Sequence, residues 1–175
     1  YHIGPALNLA TLRGLQDTLI TEIAATFNTL VYQSDFANGA TEYTAVRTTA
    51  VAPDSPDAST NVISLTPKVD TANYYIRLTT SNVNTSDTYL TKFDVFIAAG
   101  QAFDGIEVKD WIGTVKFAKT LAGSELGQWV SVSFTTTYPD YGQPAIYLTN
   151  AGSVSFVGNN SDVAYIRNLE ILEQS

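Results

Sequence analysis

Apolar residues follow two different periods along the chain, one in the first thirty or so residues and another after them. In residues 9–31 they recur three or four positions apart, which at 3.6 residues per turn places them on one face of a helix. The six that form this face are Leu12, Leu15, Leu19, Ile23, Phe27 and Leu30. The sequence therefore predicts an amphipathic N-terminal helix. Its spacings of three, four, four, four and three depart from a strict heptad, so a long regular coiled coil is not expected.

This helix must bury its apolar face, and two partners are open to it. It can pack on the β-rich remainder of its own chain, or it can assemble with copies of itself. The opposite face, with Thr18, Thr21, Ala25 and Thr29, is almost uncharged, which argues against a free solvated linker. The chain begins at Tyr1 and contains no methionine, so we expect a fragment of a longer polypeptide or a processed product. That start favours self-association, which makes the six apolar residues the predicted oligomerisation residues.

Beyond the helix, the pattern predicts short strands separated by turn residues. In residues 129–134 (WVSVSF) apolar and polar side chains alternate, which is typical of a half-buried strand. Near the end of the chain, Ile166 and Leu169 fall on opposite parities, which predicts a β-bulge near Asn168. The predicted strands cover residues 41–51, 61–67, 73–81, 89–99, 106–121 with a break near 111–113, 128–138, 144–150, 153–158 and 163–173.

Strands at such regular intervals, with no helices alternating between them, predict a mainly β fold. It consists of the N-terminal amphipathic helix followed by an antiparallel β-sandwich or jelly roll. We divide the chain into a helical stalk or oligomerisation segment (1–33), a linker with room for a first strand (34–60) and a β-sandwich head (61–175). A chain of 175 residues is long enough to bury a substantial core in that head.

Composition narrows the class of partner. The formal net charge is −8, and the acidic residues are spread thinly rather than in runs. Because there is no basic cluster, we expect no nucleic-acid partner, and no apolar run approaches the roughly 20 residues of a membrane-spanning helix. Only 15% of residues are charged, while Thr, Ser, Asn and Gly are abundant. Uncharged hydroxyl and amide surfaces of this kind are common in extracellular and viral structural β-proteins.

Residue types also exclude most catalytic chemistry. The single histidine is His2 and cysteine is absent, so His-based triads and His or Cys metal sites are not expected. Glycoside hydrolysis needs two carboxylates held close together, and Asp104, Glu107 and Asp110 are the densest acidic group. The same three with Asp94 could bind calcium through oxygen ligands, although no EF-hand spacing is present. Solvated strand edges are the simpler explanation, so the sequence predicts no enzyme and no required cofactor, and leaves calcium open.

Aromatic side chains are the better candidates for a ligand site. Sugar rings stack their apolar faces on exposed Trp or Tyr, while their hydroxyls need amide or carboxylate partners. The predicted glycan-binding residues are Trp111, Tyr138, Asp140, Tyr141 and Tyr147. Three of them belong to a predicted turn at residues 138–142, where side chains are expected at the surface. The alternative is that the tyrosines of this turn pack back onto the sandwich. Trp129 is expected in the core.

Three parts of about the last hundred residues resemble a galactose-binding-type jelly roll, the fold shared by many carbohydrate-binding modules. They are its paired early strands (73–81 and 92–101), a Gly-x-Trp strand followed by a loop and an apolar strand (127–150), and its closing strand (163–173). The resemblance implies a carbohydrate ligand. In many such modules an Asp stands where this chain has Arg167 and Asn168, so a calcium site of that type is not carried over.

The order of helix, linker and β-rich head also resembles the distal parts of bacteriophage tail fibres, tailspikes and tail needles, which are usually trimers. This resemblance implies a homotrimer on the virion tail, in an extracellular setting, that attaches to a host-surface glycan or receptor. Two alternatives stay open. One is a carbohydrate-binding module of a larger secreted enzyme, and the other is a purely structural trimeric cap. None of the three requires catalysis, membrane insertion or nucleic acid.

Overall fold

The structure is a computed structural model, and it describes residues 13–16, 29–34, 43–51, 56, 62–69, 71–79, 83, 86–138 and 143–174. The described residues form strands and turns almost throughout. The strands are β1 (Thr29–Ser34), β2 (Tyr43–Val46), β3 (Thr48–Val51), β4 (Val62–Pro67), β5 (Thr71–Asn73), β6 (Tyr75–Leu78), β7 (Thr88–Ile97), β8 (Gly105–Lys109), β9 (Val115–Thr120), β10 (Trp129–Thr137), β11 (Ala145–Thr149), β12 (Ser155–Val157) and β13 (Ala164–Gln174).

The strands form two main sheets. Sheet A has the order β10-β7-β13-β4-β3, with β1 also paired to β13, and sheet B has the order β2-β6-β11-β8-β9. A small third sheet pairs β12 with β5. All of these described pairings are antiparallel. Two antiparallel sheets around one apolar core make a sandwich, which confirms the β part of the predicted fold class.

The core is built by alternate residues of the strands in both sheets. In β7 every second residue from Tyr89 to Ile97 is buried, and β6 alternates in the same way. Phe117 of β9 stacks on Phe134 of β10 with ring centroids 4.7 Å apart, so edge strands of the two sheets touch. Residues between the buried ones face outward. Each sheet therefore has an outer face whose side chains do not contribute to the core and can contact a ligand.

Most predicted strands are confirmed, and so are two finer features. The break predicted near residues 111–113 separates β8 from β9. The pairing of β13 with β7 shifts register between Arg167 and Glu170, and Asn168 there has a φ of 54°. This bulge lets Ile166 and Leu169 both face the core despite their opposite parities. Asn adopts a left-handed φ more readily than most residues, which suits it to this position.

The single strand predicted at residues 41–51 is two strands in different sheets. β2 pairs with β6 in sheet B, whereas β3 pairs with β4 in sheet A. Arg47 stands between them with a φ of 52°, and its carbonyl accepts a hydrogen bond from the Lys68 amide at 3.1 Å. One left-handed residue thus turns the chain from one sheet to the other. Composition does not reveal the turn, because both halves have the same strand-forming residues.

The predicted N-terminal amphipathic helix is not supported. The described residues within 9–31 are 13–16, which are helical and exposed, and 29–31, which belong to β1. Leu15 is 59% exposed, and Leu30 lies in β1 with 49% exposure, so neither belongs to a buried helix face. The other predicted oligomerisation residues, Leu12, Leu19, Ile23 and Phe27, lie outside the described residues. Among the residues that the structure describes, no helix is both long and apolar enough to cross a bilayer.

β13 is longer than β4, which pairs with its first residues. β1 forms on the part of that edge of β13 that β4 leaves open. β4 pairs only with residues 164–167 of β13, and β1 pairs along the same edge with residues 169–173. The free backbone groups of that edge favour a strand, and residues such as Val31 and Tyr32 suit one. A tertiary pairing here overrides a local helical spacing. The predicted boundary at residue 33 falls inside β1, while the division into stalk, linker and head stays a prediction.

Candidate functional site

The outer face of sheet B gathers aromatic and charged side chains in two registered rows. The first row runs Val46, Tyr75, Tyr147, Glu107, Ala118 across the five strands. The second row runs Thr44, Arg77, Ala145, Lys109, Val115. Because neighbouring strands lie about 4.8 Å apart, each row crosses roughly 19 Å of surface. We call these two rows, together with Trp111, the sheet B face.

Aromatic rings form the centre of the sheet B face. Tyr75 and Tyr147 are cross-strand partners, and their rings stack with centroids 4.4 Å apart and an interplanar angle of 27°. The Lys109 ammonium lies 4.9 Å from the centre of the Tyr147 ring. The Arg77 guanidinium lies 5.6 Å from the centre of the Tyr75 ring and 4.2 Å from that of Trp111. The rings and cations therefore make one continuous surface, with the cations against the ring faces.

A tight hairpin turn holds Trp111 at the border of this surface. Asp110 is buried at the end of β8, and its carboxylate accepts a hydrogen bond from the Thr114 amide at 2.7 Å. The Lys116 ammonium lies 3.2 Å from the other oxygen of the same carboxylate. Gly113 completes the turn with a φ of 90°, which a residue without a side chain adopts at little cost. Trp111 remains 43% exposed in this rigid setting.

The polar groups of the face include an ion pair and a hydroxyl donor. Glu107 and Lys109 form an ion pair at 3.1 Å. Burial raises the pKa of the Tyr147 hydroxyl above its ordinary value of 10.0, and Tyr75 and Glu107 raise it further while Arg77 opposes them. That hydroxyl therefore stays protonated and can donate a hydrogen bond. The Arg77 Nε is buried and has no hydrogen-bond partner among the described residues.

Two depressions lie at opposite ends of the first row. One, of about 420 Å³, is lined by Val46 and Tyr75 together with Arg47 and Asn73. The other, of about 120 Å³, includes Glu107 and Ala118. Tyr75 borders the first depression, and Tyr147 lies in the row between Tyr75 and Glu107. The row is thus a shallow track across the sheet rather than a closed pocket, and such a track suits an extended ligand better than a compact one.

The structure brings two of the predicted site residues together and separates a third. Trp111 and Tyr147 both belong to the sheet B face, linked through Arg77 and Tyr75. Tyr138 was predicted in an exposed turn, with packing back onto the sandwich as the alternative, and the alternative is correct: its side chain is fully buried, and its hydroxyl lies 2.6 Å from that of Thr91. Burial raises the pKa of Tyr138 well above its ordinary value. Asp140 and Tyr141 lie outside the described residues.

Other residues of the face were not identified from the sequence as ligand-binding. Tyr75 and Arg77 come from β6, and Lys109 comes from β8. One signal was present, since two-residue alternation puts Tyr75 and Arg77 on the side opposite Ile76 and Leu78. Their meeting with Tyr147 depends on strand order, which alternation does not encode.

The carboxylates considered for catalysis or calcium are dispersed. Asp104 accepts a hydrogen bond from the Ala151 amide at 2.9 Å, and Asp110 stabilises the hairpin turn. Glu107 is paired with Lys109 on sheet B, whereas Asp94 is on the outer face of sheet A. Within the described residues, no group of three or more His, Cys, Asp or Glu side chains is arranged to hold a metal ion. Each of these carboxylates has a protein partner of its own.

Comparison with known proteins adds a fold relationship. No protein-family model matches the sequence, and no curated protein matches it. Among solved structures, the CBM22-1 and GH10 modules of Clostridium thermocellum xylanase 10B, complexed with xylohexaose, match with a TM-score of 0.60 at 12% identity, over 85% of this chain and 29% of that chain. The CBM22-1 xylan-binding domain of Paenibacillus barcinonensis Xyn10C matches with a TM-score of 0.53 at 13% identity, over 85% and 96% of the two chains.

A phage protein has a similar domain. The enzymatically active domain of tailspike protein 4 from bacteriophage CBA120 matches with a TM-score of 0.50 at 13% identity, over 85% of this chain and 22% of that chain. This chain thus spans under a third of the xylanase and tailspike chains. At such identities the likeness concerns the fold alone. That fold is the jelly-roll β-sandwich of carbohydrate-binding modules, as the sequence resemblance implied.

Proposed function

We propose that this protein is a non-catalytic glycan-binding module and that the sheet B face is its binding surface. The observation that carries the proposal is the stacked Tyr75–Tyr147 pair in a row that runs between two depressions. The edges of these stacked rings, together with the exposed Trp111, offer apolar surface to successive sugar rings. Stacking and cation–π contacts already order these side chains in the free protein, so binding a ligand costs less side-chain conformational entropy.

The polar groups beside the rings provide the complementary hydrogen bonds. Glu107 can accept from sugar hydroxyls, while Lys109 and the Tyr147 hydroxyl can donate to sugar oxygens. A neutral, extended polysaccharide fits this mixture of one acidic and several donating groups. Xylan is the first ligand to examine, because two of the similar structures are a xylan-binding domain and a module pair complexed with xylohexaose.

The biological setting that we propose is host attachment by a phage tail fibre or spike, in which several copies of this module act together. Weak binding at each copy would be strengthened by the high effective concentration of linked sites. The tailspike similarity favours this setting. A carbohydrate-binding module of a larger secreted enzyme is the second candidate, favoured by the xylanase similarity. Molecular mass in solution separates them, since a trimer supports the first and a concentration-independent monomer supports the second.

The binding surface can be tested by calorimetric titration with xylohexaose and by a glycan array. Tyr147→Ala removes a central ring, and we expect affinity to fall about tenfold or more, since truncating a buried aromatic anchor commonly costs about 2 kcal/mol. Trp111→Ala should lower affinity in the same direction. The control is Val157→Ala, an exposed apolar residue on the small third sheet, which should bind like the wild type.

Two outcomes contradict this proposal. Equal binding of a glycan by the wild type and by Tyr147→Ala would place the binding surface elsewhere. Absence of any glycan ligand on a broad array would favour the purely structural cap.

A further inference from the structure

The outer face of sheet A has three registered rows of side chains, and the rows differ in chemistry. The first row is aromatic, the second is a hydrogen-bonded polar group and the third is charged. Across β10, β7 and β13 the rows are Trp129–Phe96–Tyr165, Ser131–Asp94–Arg167 and Ser133–Lys92–Glu170. Of the predicted glycan-binding residues that the structure describes, none belongs to these rows.

The β-bulge in β13 opens a depression between the second and third rows. Two-for-one pairing between Arg167 and Glu170 spreads the sheet locally and turns the Asn168 side chain toward β7. The depression has a volume of about 230 Å³. Its walls are polar, and its base lies over Phe93 and Val132, whose side chains are buried in the core. A concave surface with several convergent polar groups is a feature of small-ligand sites.

One wall of the depression is rigid. Asp94 accepts hydrogen bonds from Ser131 at 2.7 Å, from Asn168 at 2.8 Å and from the Arg167 Nε at 3.1 Å. Burial would raise the pKa of Asp94, but these three donors outweigh it and lower that pKa. The carboxylate is therefore ionised at neutral pH and neutralised by Arg167.

The other wall holds two opposite charges that do not meet. Lys92 and Glu170 are direct cross-strand partners and both line the depression. Opposite charges in that position commonly pair. Here, within the described part of the chain, no ion pair joins them. With Asp94 neutralised, one cation and one anion are left to face the space between them, so its lining has no net charge.

We infer that this depression is a second carbohydrate site, which binds a single neutral sugar ring. A sugar hydroxyl can accept from Lys92 while a neighbouring hydroxyl donates to Glu170, so that the ring lies between these two side chains. A charged sugar gains nothing from a lining without net charge. The volume limits the ligand to one ring or a chain end, whereas the sheet B face suits an extended chain. The two sites lie on opposite faces of the sandwich, so one short oligosaccharide cannot occupy both.

Amide chemical shifts during titration of the isotope-labelled chain with D-xylose, D-galactose and D-glucuronate test this site. We expect saturable shifts at Lys92, Ser133 and Asn168 with a neutral sugar and weaker shifts with glucuronate. The double variant Lys92→Met/Glu170→Gln should weaken the neutral sugar about tenfold or more at these amides, because two charge-assisted hydrogen bonds are lost. The matched control Lys68→Met removes an exposed cation outside the depression and should leave these shifts unchanged.

The outcomes separate this inference from the proposed function of sheet B. In Tyr147→Ala the shifts at Lys92, Ser133 and Asn168 should persist, whatever happens on the other face. No saturable shift at these three amides with either neutral sugar would overturn the second site. Equal titration of the wild type and the double variant would also overturn it, and so would tighter binding of glucuronate than of the neutral sugars.

Discussion

Each outer face of the sandwich has an arginine packed on a tryptophan ring, but the two arginines have different surroundings. On sheet B the Arg77 guanidinium lies 4.2 Å from the centre of the Trp111 ring. On sheet A the Arg167 guanidinium lies 4.0 Å from the centre of the Trp129 ring. Arg167 is also bonded to Asp94 through its Nε, whereas the Arg77 Nε has no hydrogen-bond partner among the described residues. One arginine is anchored by a carboxylate, and the other by two aromatic rings and a long hydrogen bond of 3.5 Å from its terminal nitrogen to the Tyr75 hydroxyl.

This difference indicates separate roles for two similar contacts. A partly buried guanidinium that bonds to a carboxylate contributes to stability, because removing either partner leaves the other unsatisfied. Arg77 instead lies against Tyr75 and Trp111, so its loss leaves no carboxylate unpaired and mainly disturbs the rings of the sheet B face. We therefore expect the Asp94 cluster to matter mainly for folding and Arg77 to matter mainly for binding.

The largest effect on stability is expected from Asp94→Ala. Three donors lose their common acceptor, and we expect the free energy of unfolding to fall by about 1–2 kcal/mol, since Ser131 and Asn168 can be rehydrated. For a chain of this length that lowers the melting temperature by roughly 2–8 °C. Arg77→Met is the counterpart on sheet B and should change stability by less than about 0.5 kcal/mol. Thermal unfolding of both variants checks this, and equal destabilisation would contradict the contrast.

The stabilisation that comes from Asp94 should also depend on pH. Its pKa in the folded state is lowered below the ordinary value of 3.8, so its contribution is complete above that value and is lost as the pH falls through the folded-state pKa. The difference in melting temperature between the wild type and Asp94→Ala should be constant from about pH 8 to pH 5 and should shrink below about pH 4. A difference that persists unchanged at pH 3 would mean that the carboxylate charge is not what stabilises this face.

The smallest effect is expected from Tyr147→Phe, which sharpens the assignment of sheet B. The ring and its stacking on Tyr75 are kept, and only the hydroxyl is lost. Stability should stay within about 0.5 kcal/mol of the wild type. Affinity for xylohexaose should fall only a few-fold, about 1 kcal/mol, which is less than for Tyr147→Ala. Calorimetric titration of the two variants side by side distinguishes stacking from hydrogen bonding, and equal losses would assign the effect to the hydroxyl.

The sequence pattern predicted side-chain direction best where a residue's position in the alternation of its own strand decides which face it lies on. The alternation in residues 129–134 predicted that Val130, Val132 and Phe134 face inward, and in β10 they do. Trp129, expected in the core, follows the same alternation onto the outer face, where its ring packs against Phe96 and beneath Arg167. The parity change in β13 predicted the bulge at Asn168, beside which the depression on the outer face of sheet A lies.

The candidate site shows where local reasoning ends. Tyr138 and Tyr147 are similar residues nine positions apart, yet one is buried against Thr91 and the other stacks on Tyr75 at the surface. Their partners come from β7 and β6, and no local pattern names a partner so far along the chain. For the same reason Arg77 was not recognised as part of a site with Trp111.

By itself, the sequence determined that this protein is a mainly β, antiparallel structure, where most strands begin and end, and where one of them bulges. These properties follow from the alternation of side chains about a pleated backbone and from turn residues, both of which act over a few positions. The tertiary structure alone decided that residues 29–34 form a strand, because the open edge of β13 is available to them. It also decided which aromatic residues share a face, because strand order in a sheet is set by packing of the whole chain.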